Sequence, residues 1–153
     1  MGRNNMAVVS KGFTLLELLV TISIIGILLG IGSVSFTTAQ KKGRDARRQG
    51  DMKAIQKSLE EYYALTNVYP TVVSSGGSID YLGTTTMNVV PNDPKNSGSY
   101  IYTYTTDAGV TKTAYCLCAY LDNPGSGNAS TVGASGVCSW NGTKNYFCVS
   151  NQQ

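Results

Sequence analysis

The sequence predicts an α+β fold: a long N-terminal helix, membrane-spanning over its first half, packed against a small antiparallel β-sheet head with a disulfide-stapled C-terminal region. Three observations carry that expectation. Phe13 to Phe36 is a run of 24 residues in which Glu17 is the only ionisable side chain. Downstream, Met52, Ile55, Leu59 and Tyr62 recur at spacings of three, four and three, which marks one apolar face of a helix. The last third carries the alternating aromatic stretch Tyr100-Ile101-Tyr102-Thr103-Tyr104-Thr105 and, from Cys116 to Cys148, all four cysteines.

In chain order, residues 1–12 form a short polar leader ending in Lys11-Gly12. Residues 13–36 follow as a transmembrane segment. At ~1.5 Å per residue this helix is ~36 Å long, enough to cross a hydrocarbon core of ~30 Å with some tilt. A carboxylate inside such a run is costly and calls for a partner, so Glu17 is a candidate functional residue. An ordinary secretory signal ending at Ser33-Val34-Ser35 or Thr37-Thr38-Ala39 is disfavoured, because its apolar core is shorter and has no place for Glu17.

Residues 37–67 continue the helix into the head through the polar passage Thr37 to Gly43. The helix is expected to end near Thr66-Asn67, with Tyr69-Pro70 closing it, since the residue before proline avoids helical geometry. Residues 68–153 form the globular β-rich head. Within it, 71–99 reads as loop, with Tyr81-Leu82 and Val89-Val90 docking it on the helix. Tyr100–Thr105 reads as a strand and Asp107-Ala108-Gly109 as a turn, with Thr113–Leu121 as the antiparallel partner. Asp122–Gly136 reads as a Gly/Ser/Asn-rich loop. Val137–Trp140 and Asn145–Val149 flank Asn141-Gly142, a strong hairpin signal.

Composition narrows the chemistry. The absence of histidine removes His-dependent triads and His metal sites. No nucleophile–base pairing is visible, so no catalytic residue, no cofactor and no enzymatic role are expected. Four clustered cysteines suit an exported, disulfide-stapled domain. Cys116 and Cys118 lie two apart on one expected strand, side chains parallel. Each should therefore reach across the head, pairing 116–138 with 118–148 or 116–148 with 118–138. A thiolate metal site fits less well, because Cys138 and Cys148 are separated by nine residues. Asp107, Asp122 and Asn123 gather too few carboxylates for a calcium loop. The triplets Asn128-Ala129-Ser130 and Asn141-Gly142-Thr143 have the pattern of glycosylation sequons.

Charge is unevenly spread. Residues 41–61 hold seven basic and four acidic side chains, and the chain from Tyr62 onward holds three and four. The basic run Lys41 to Arg48 has Asp45 and Asp51 as neighbouring countercharges. DNA binding is not expected from it. The basic flank that follows the apolar run argues, by the positive-inside rule, against export of the head; the cysteines argue for it.

The segment Lys11-Gly12-Phe13-Thr14-Leu15-Leu16-Glu17-Leu18-Leu19-Val20, continued by Ile24-Ile25-Gly26-Ile27-Leu28, closely resembles the processing and assembly motif of type IV pilins and type II secretion pseudopilins. The resemblance implies that a membrane-embedded prepilin peptidase cuts after Gly12 and methylates Phe13. It also implies that Glu17 meets the N-terminal amine of a neighbouring subunit during assembly. Many relatives carry proline where this chain has Val34; Gly26, Gly30 and Gly32 would supply helix weakness here instead. Asn67-Val68-Tyr69-Pro70 and Pro91-Asn92-Asp93-Pro94-Lys95 are similar to the helix end and the loop before the strand in the same family.

The expected role is thus a structural subunit of a type IV pilus-like filament, with a secretion pseudopilin as the alternative and a membrane-anchored surface binding domain behind both. Expected partners are identical or homologous pilin subunits in a helical filament, the prepilin peptidase, the pilus or secretion assembly machinery, and membrane lipid before assembly. The expected location is the cytoplasmic membrane as a single-pass precursor, then the cell surface.

Overall fold

The structure is a computed structural model that describes residues 12–107, 109 and 111–153, with 32–34 described by backbone alone. Residues 1–11 of the expected leader, Ala108 of the expected turn and the side chain of Val34 lie outside the described residues. The chain divides into two compact units, Met1–Ala39 and Gln40–Gln153. Helix α1, Leu15–Thr66, contributes to both.

In the first unit the described side chains of α1 are exposed on every face, as a helix meant for a non-aqueous surrounding would be. Two of its hydroxyls are satisfied within the helix. Thr21 Oγ1 donates to the Leu18 carbonyl at 2.8 Å and Ser23 Oγ to that of Leu19 at 2.7 Å, so neither needs water.

In the second unit, Met52, Ile55 and Leu59 of α1 are fully buried, and each contributes about 1.5–3 kcal/mol by leaving water. They share a core with Tyr69, Ile79, Val90, Tyr115, Leu117, Ala119 and Val149. The helix stops at Thr66, and Asn67 adopts the left-handed conformation (φ 57°) that commonly follows a helix end. Tyr69 then turns back under the helix. Its ring stacks on Tyr63 at 4.6 Å and meets Tyr115 edge-on, while its hydroxyl donates to Glu60.

The strands form three small antiparallel sheets. Strands β1 (Ile79–Tyr81) and β2 (Thr84–Met87) pair as a hairpin. Strands β3 (Thr103–Thr106), β4 (Tyr115–Tyr120) and β7 (Tyr146–Ser150) form a sheet with β4 central. Strands β5 (Thr131–Ala134) and β6 (Val137–Ser139) form a second hairpin. Because β4 is buried on both faces, Tyr115, Leu117 and Ala119 join the helix core while Cys116 and Cys118 join a second cluster with Ala129, Cys138 and Cys148.

Four sequence expectations are corrected. Residues 71–99 are not all loop: Leu82 and Gly83, both with positive φ, make the two-residue turn between β1 and β2. The pieces Tyr81-Leu82 and Val89-Val90 dock through one residue each, Tyr81 edge-on to Tyr62 and Val90 in the core, while Leu82 and Val89 point outward; Ile79 is a further buried anchor. The stretch Asp122–Gly136 contains β5. The expected hairpin about Asn141-Gly142 does not form, because β6 folds back on β5 and β7 pairs with β4 instead. The decisive turn is Ser135-Gly136. Gly136 has φ 76°, and a Cβ there would sit 2.6 Å from the Ala114 carbonyl oxygen, so the chain can reverse there only with glycine.

Candidate functional site

At the N-terminus, residues 12–14 precede the helix without regular structure, and Gly12 and Phe13 are exposed. A backbone outside helix and sheet is the form a peptidase can bind. Thr14 caps α1. Its Oγ1 accepts from the Glu17 amide at 3.2 Å, and the Glu17 carboxylate accepts from the Thr14 amide at 3.0 Å and from its hydroxyl at 2.9 Å. This reciprocal arrangement is a capping box, and its signal in the sequence is the Thr-x-x-Glu spacing of Thr14 and Glu17. It holds the one ionisable side chain of the apolar run at the helix entrance, with donors already supplied.

The fit with known proteins bears on this segment. The model of the prokaryotic N-terminal methylation motif matches residues 9–33. The chain carries the N-terminal methylation motif of type IV pilins and pseudopilins. No curated protein and no solved structure shows a significant match. The motif spans the candidate cut site Gly12, the candidate methylated residue Phe13 and the candidate assembly carboxylate Glu17. The motif helix is also the one helix among the described residues long and apolar enough to cross a membrane by length and composition, with a mean hydropathy of 2.4 over its best window. Together these features fit a membrane-anchored precursor.

The cysteines lie in the second unit. Cys116 pairs with Cys138 and Cys118 with Cys148, with Cα separations of 5.2 Å and 4.1 Å. This is one of the two connectivities left open by the sequence. Cys118 and Cys148 face each other across β4 and β7. The exposed edge of β7 is closed by Asn128, whose side-chain amide donates to the Cys148 carbonyl and accepts from the Cys148 amide. All four sulfurs lie within 4.8 Å of one another, but both pairs are spent in disulfides and leave no thiolate to ligate a metal.

A second constellation, in the head, joins residues far apart in the sequence. Arg48, at the end of the basic run, is fully buried. Its guanidinium grips Asp93 with two bonds, of 2.6 and 3.0 Å, and donates to Asp45 at 2.8 Å. Asp122 lies 3.3 Å from the same guanidinium and also accepts from Arg44 and Lys95. Burial opposes the charge of Asp122, but these donors win and hold its carboxyl well below the usual carboxylate range. Asp45 further accepts from the Asp122 amide and from both the amide and side chain of Asn123.

Hence Arg44 and Arg48 are engaged inside the head, while Lys41, Lys42 and Arg47 stay exposed. Asp122 and Asn123 join this cluster, whereas Asp107 keeps its bonds within the β3–β4 connection, to Thr113 and Ala114. An open cavity of about 300 Å³, lined by Lys42, Asp45, Ala46, Gln49, Asn123 and Ser126, lies beside the cluster.

Proposed function

We propose that this chain is the precursor of a structural subunit of a type IV pilus-like filament. Prepilin peptidase cuts after Gly12, and Phe13 becomes the methylated N-terminus. The apolar half of α1 anchors the precursor in the cytoplasmic membrane and then packs against identical or homologous subunits at the cell surface. The observation that carries this reading is the methylation motif at residues 9–33, with the capped Glu17 at the entrance of an apolar helix exposed on all its described faces.

Among the described residues the Glu17 carboxylate is met by Thr14 alone, one residue's worth of donors for a charge that is expensive in lipid. A neighbouring subunit offers it an amine in a low-dielectric setting, where the attraction is strong. Assembly thus gains what insertion gives up.

The disulfide-stapled head, rich in tyrosine and glycine, supports an exposed pilus over a secretion pseudopilus. The test is imaging of cells with an antibody against the head. Long labelled filaments are expected. A loss of protein secretion on deletion, with no labelled filament, would assign the chain to the pseudopilins instead. Glu17→Val should leave membrane insertion intact and abolish filaments; filaments at normal yield would contradict the role given to Glu17.

A further inference from the structure

The segment between β6 and β7 is not the hairpin its sequence suggests, and what it does instead exposes a reactive pair. Asn141, Gly142 and Thr143 are all exposed and belong to no strand. Among the described residues the Asn141 side-chain amide makes no hydrogen bond, and neither does the Gly142 backbone N–H. Gly142 is held as glycine by its surroundings. Its φ is 104°, and a Cβ there would lie 2.7 Å from Ser130 Cβ. The residue after Asn141 therefore carries no side chain to shield the asparagine carbonyl.

The chain's other asparagines differ in one or both respects. Asn128, in the other sequon, has both ends of its amide bound to the Cys148 backbone at 2.8 and 2.7 Å and is followed by the fully buried Ala129. Asn123 donates to Asp45, Asn145 accepts from the Gly125 amide, and no asparagine except Asn141 is followed by glycine.

We propose that Asn141 is a site of spontaneous deamidation, at which the surface of the head acquires a carboxylate as the protein ages. The Gly142 backbone nitrogen, on losing its proton, attacks the Asn141 side-chain carbonyl carbon. A new C–N bond closes a five-membered succinimide, and the C–NH₂ bond breaks with release of ammonia. Water then opens the ring at either carbonyl, giving aspartate or isoaspartate. Nothing is oxidised or reduced, and water is the only co-reactant. The isoaspartate product routes the main chain through the former side chain, adding a methylene between β6 and β7. Both products place a negative charge beside Thr143 and Lys144, in a half of the chain that is otherwise nearly neutral. The strands on either side are tied down by Cys138 and Cys148, so the change stays local.

The experiment is to hold the full-length, disulfide-bonded protein in detergent at mildly alkaline pH, sampling with time and mapping peptides by mass spectrometry. The Asn141 peptide should gain the mass of an NH₂-to-OH exchange before any other asparagine peptide does. It should also split chromatographically into aspartate and isoaspartate forms, with Asn128 unchanged. Asn141→Gln, an exposed substitution that leaves both disulfides in place, should lose the signal altogether, because glutamine would have to close a six-membered ring. Persistence of the Asn141 amide while Asn123 or Asn128 converts would overturn the proposal. So would an oligosaccharide on Asn141 in the protein as isolated, since the amide would then be occupied through the Asn141-Gly142-Thr143 sequon.

Discussion

The side chains that matter most are those whose charge has been taken out of water. Arg48 is the clearest. Its guanidinium is fully enclosed and neutralises Asp93 and Asp45, with Asp122 at its flank. Arg48→Met keeps the volume and strands those carboxylates, so it should cost about 3–5 kcal/mol. Denaturant unfolding of the full chain in detergent would measure this, and a loss below about 1 kcal/mol would show that water or Arg44 takes over. Asp122 adds a pH dependence of definite sign. Its folded-state pKa is lowered, so its contribution is complete above the unfolded value of about 3.9 and is lost as pH falls through the lower folded value. Stability should therefore decline on acidification below about pH 4, and Asp122→Asn, less stable at neutral pH, should flatten that decline. At the other end of the chain, Thr14→Val removes the capping hydroxyl from Glu17. Loss of such a cap costs about 1 kcal/mol, and faster amide exchange at Glu17 and Leu18 would report it.

At the scale of elements, β4 organises the head, because it presents one row of side chains to the helix and the other to the disulfides. In the chain-entropy model each bridge, closing loops of 22 and 30 residues, contributes about 3–4 kcal/mol. Replacing both Cys118 and Cys148 by alanine should therefore lower stability by about that amount, and non-reducing peptide maps should still show 116–138. The helix was legible in the sequence because its information is local: the spacing of Met52, Ile55 and Leu59 and the breaker Tyr69-Pro70 lie within one element. The β3–β4 pairing was legible for the same reason. The partner of β7 was not. Asn141-Gly142 is a good local turn signal, but pairing with β4 satisfies Cys148 and buries Val149, which a β6–β7 hairpin would have to forgo. Arg48 was hidden likewise: its partners Asp93 and Asp122 are 45 and 74 positions away, and nothing in the run Lys41 to Arg48 marks one cation as buried and its neighbours as exposed. In the candidate site, Gly12, Phe13 and Glu17 fall within one contiguous motif at residues 9–33.

Over the whole molecule, two kinds of environment are written into one chain. The first unit presents an exposed apolar helix with Thr21 and Ser23 bonded to its own carbonyls and its single carboxylate capped. The second offers water a head whose core, ion cluster and disulfides are self-sufficient. The excess of basic residues after the apolar run, which by itself argues for a cytoplasmic head, is partly spent inside that head, since Arg44 and Arg48 are paired with carboxylates. Replacing Gly12 with a bulky residue should block processing and leave full-length precursor in the membrane, visible as a band of unchanged size. The central claim is that the chain is cut before Phe13 and assembled through Glu17, and the mass of the intact subunit in sheared surface material tests it most directly. The account predicts a chain beginning at N-methylated Phe13 with both disulfides present; a chain beginning near Ala39, or one still carrying residues 1–12, would contradict it.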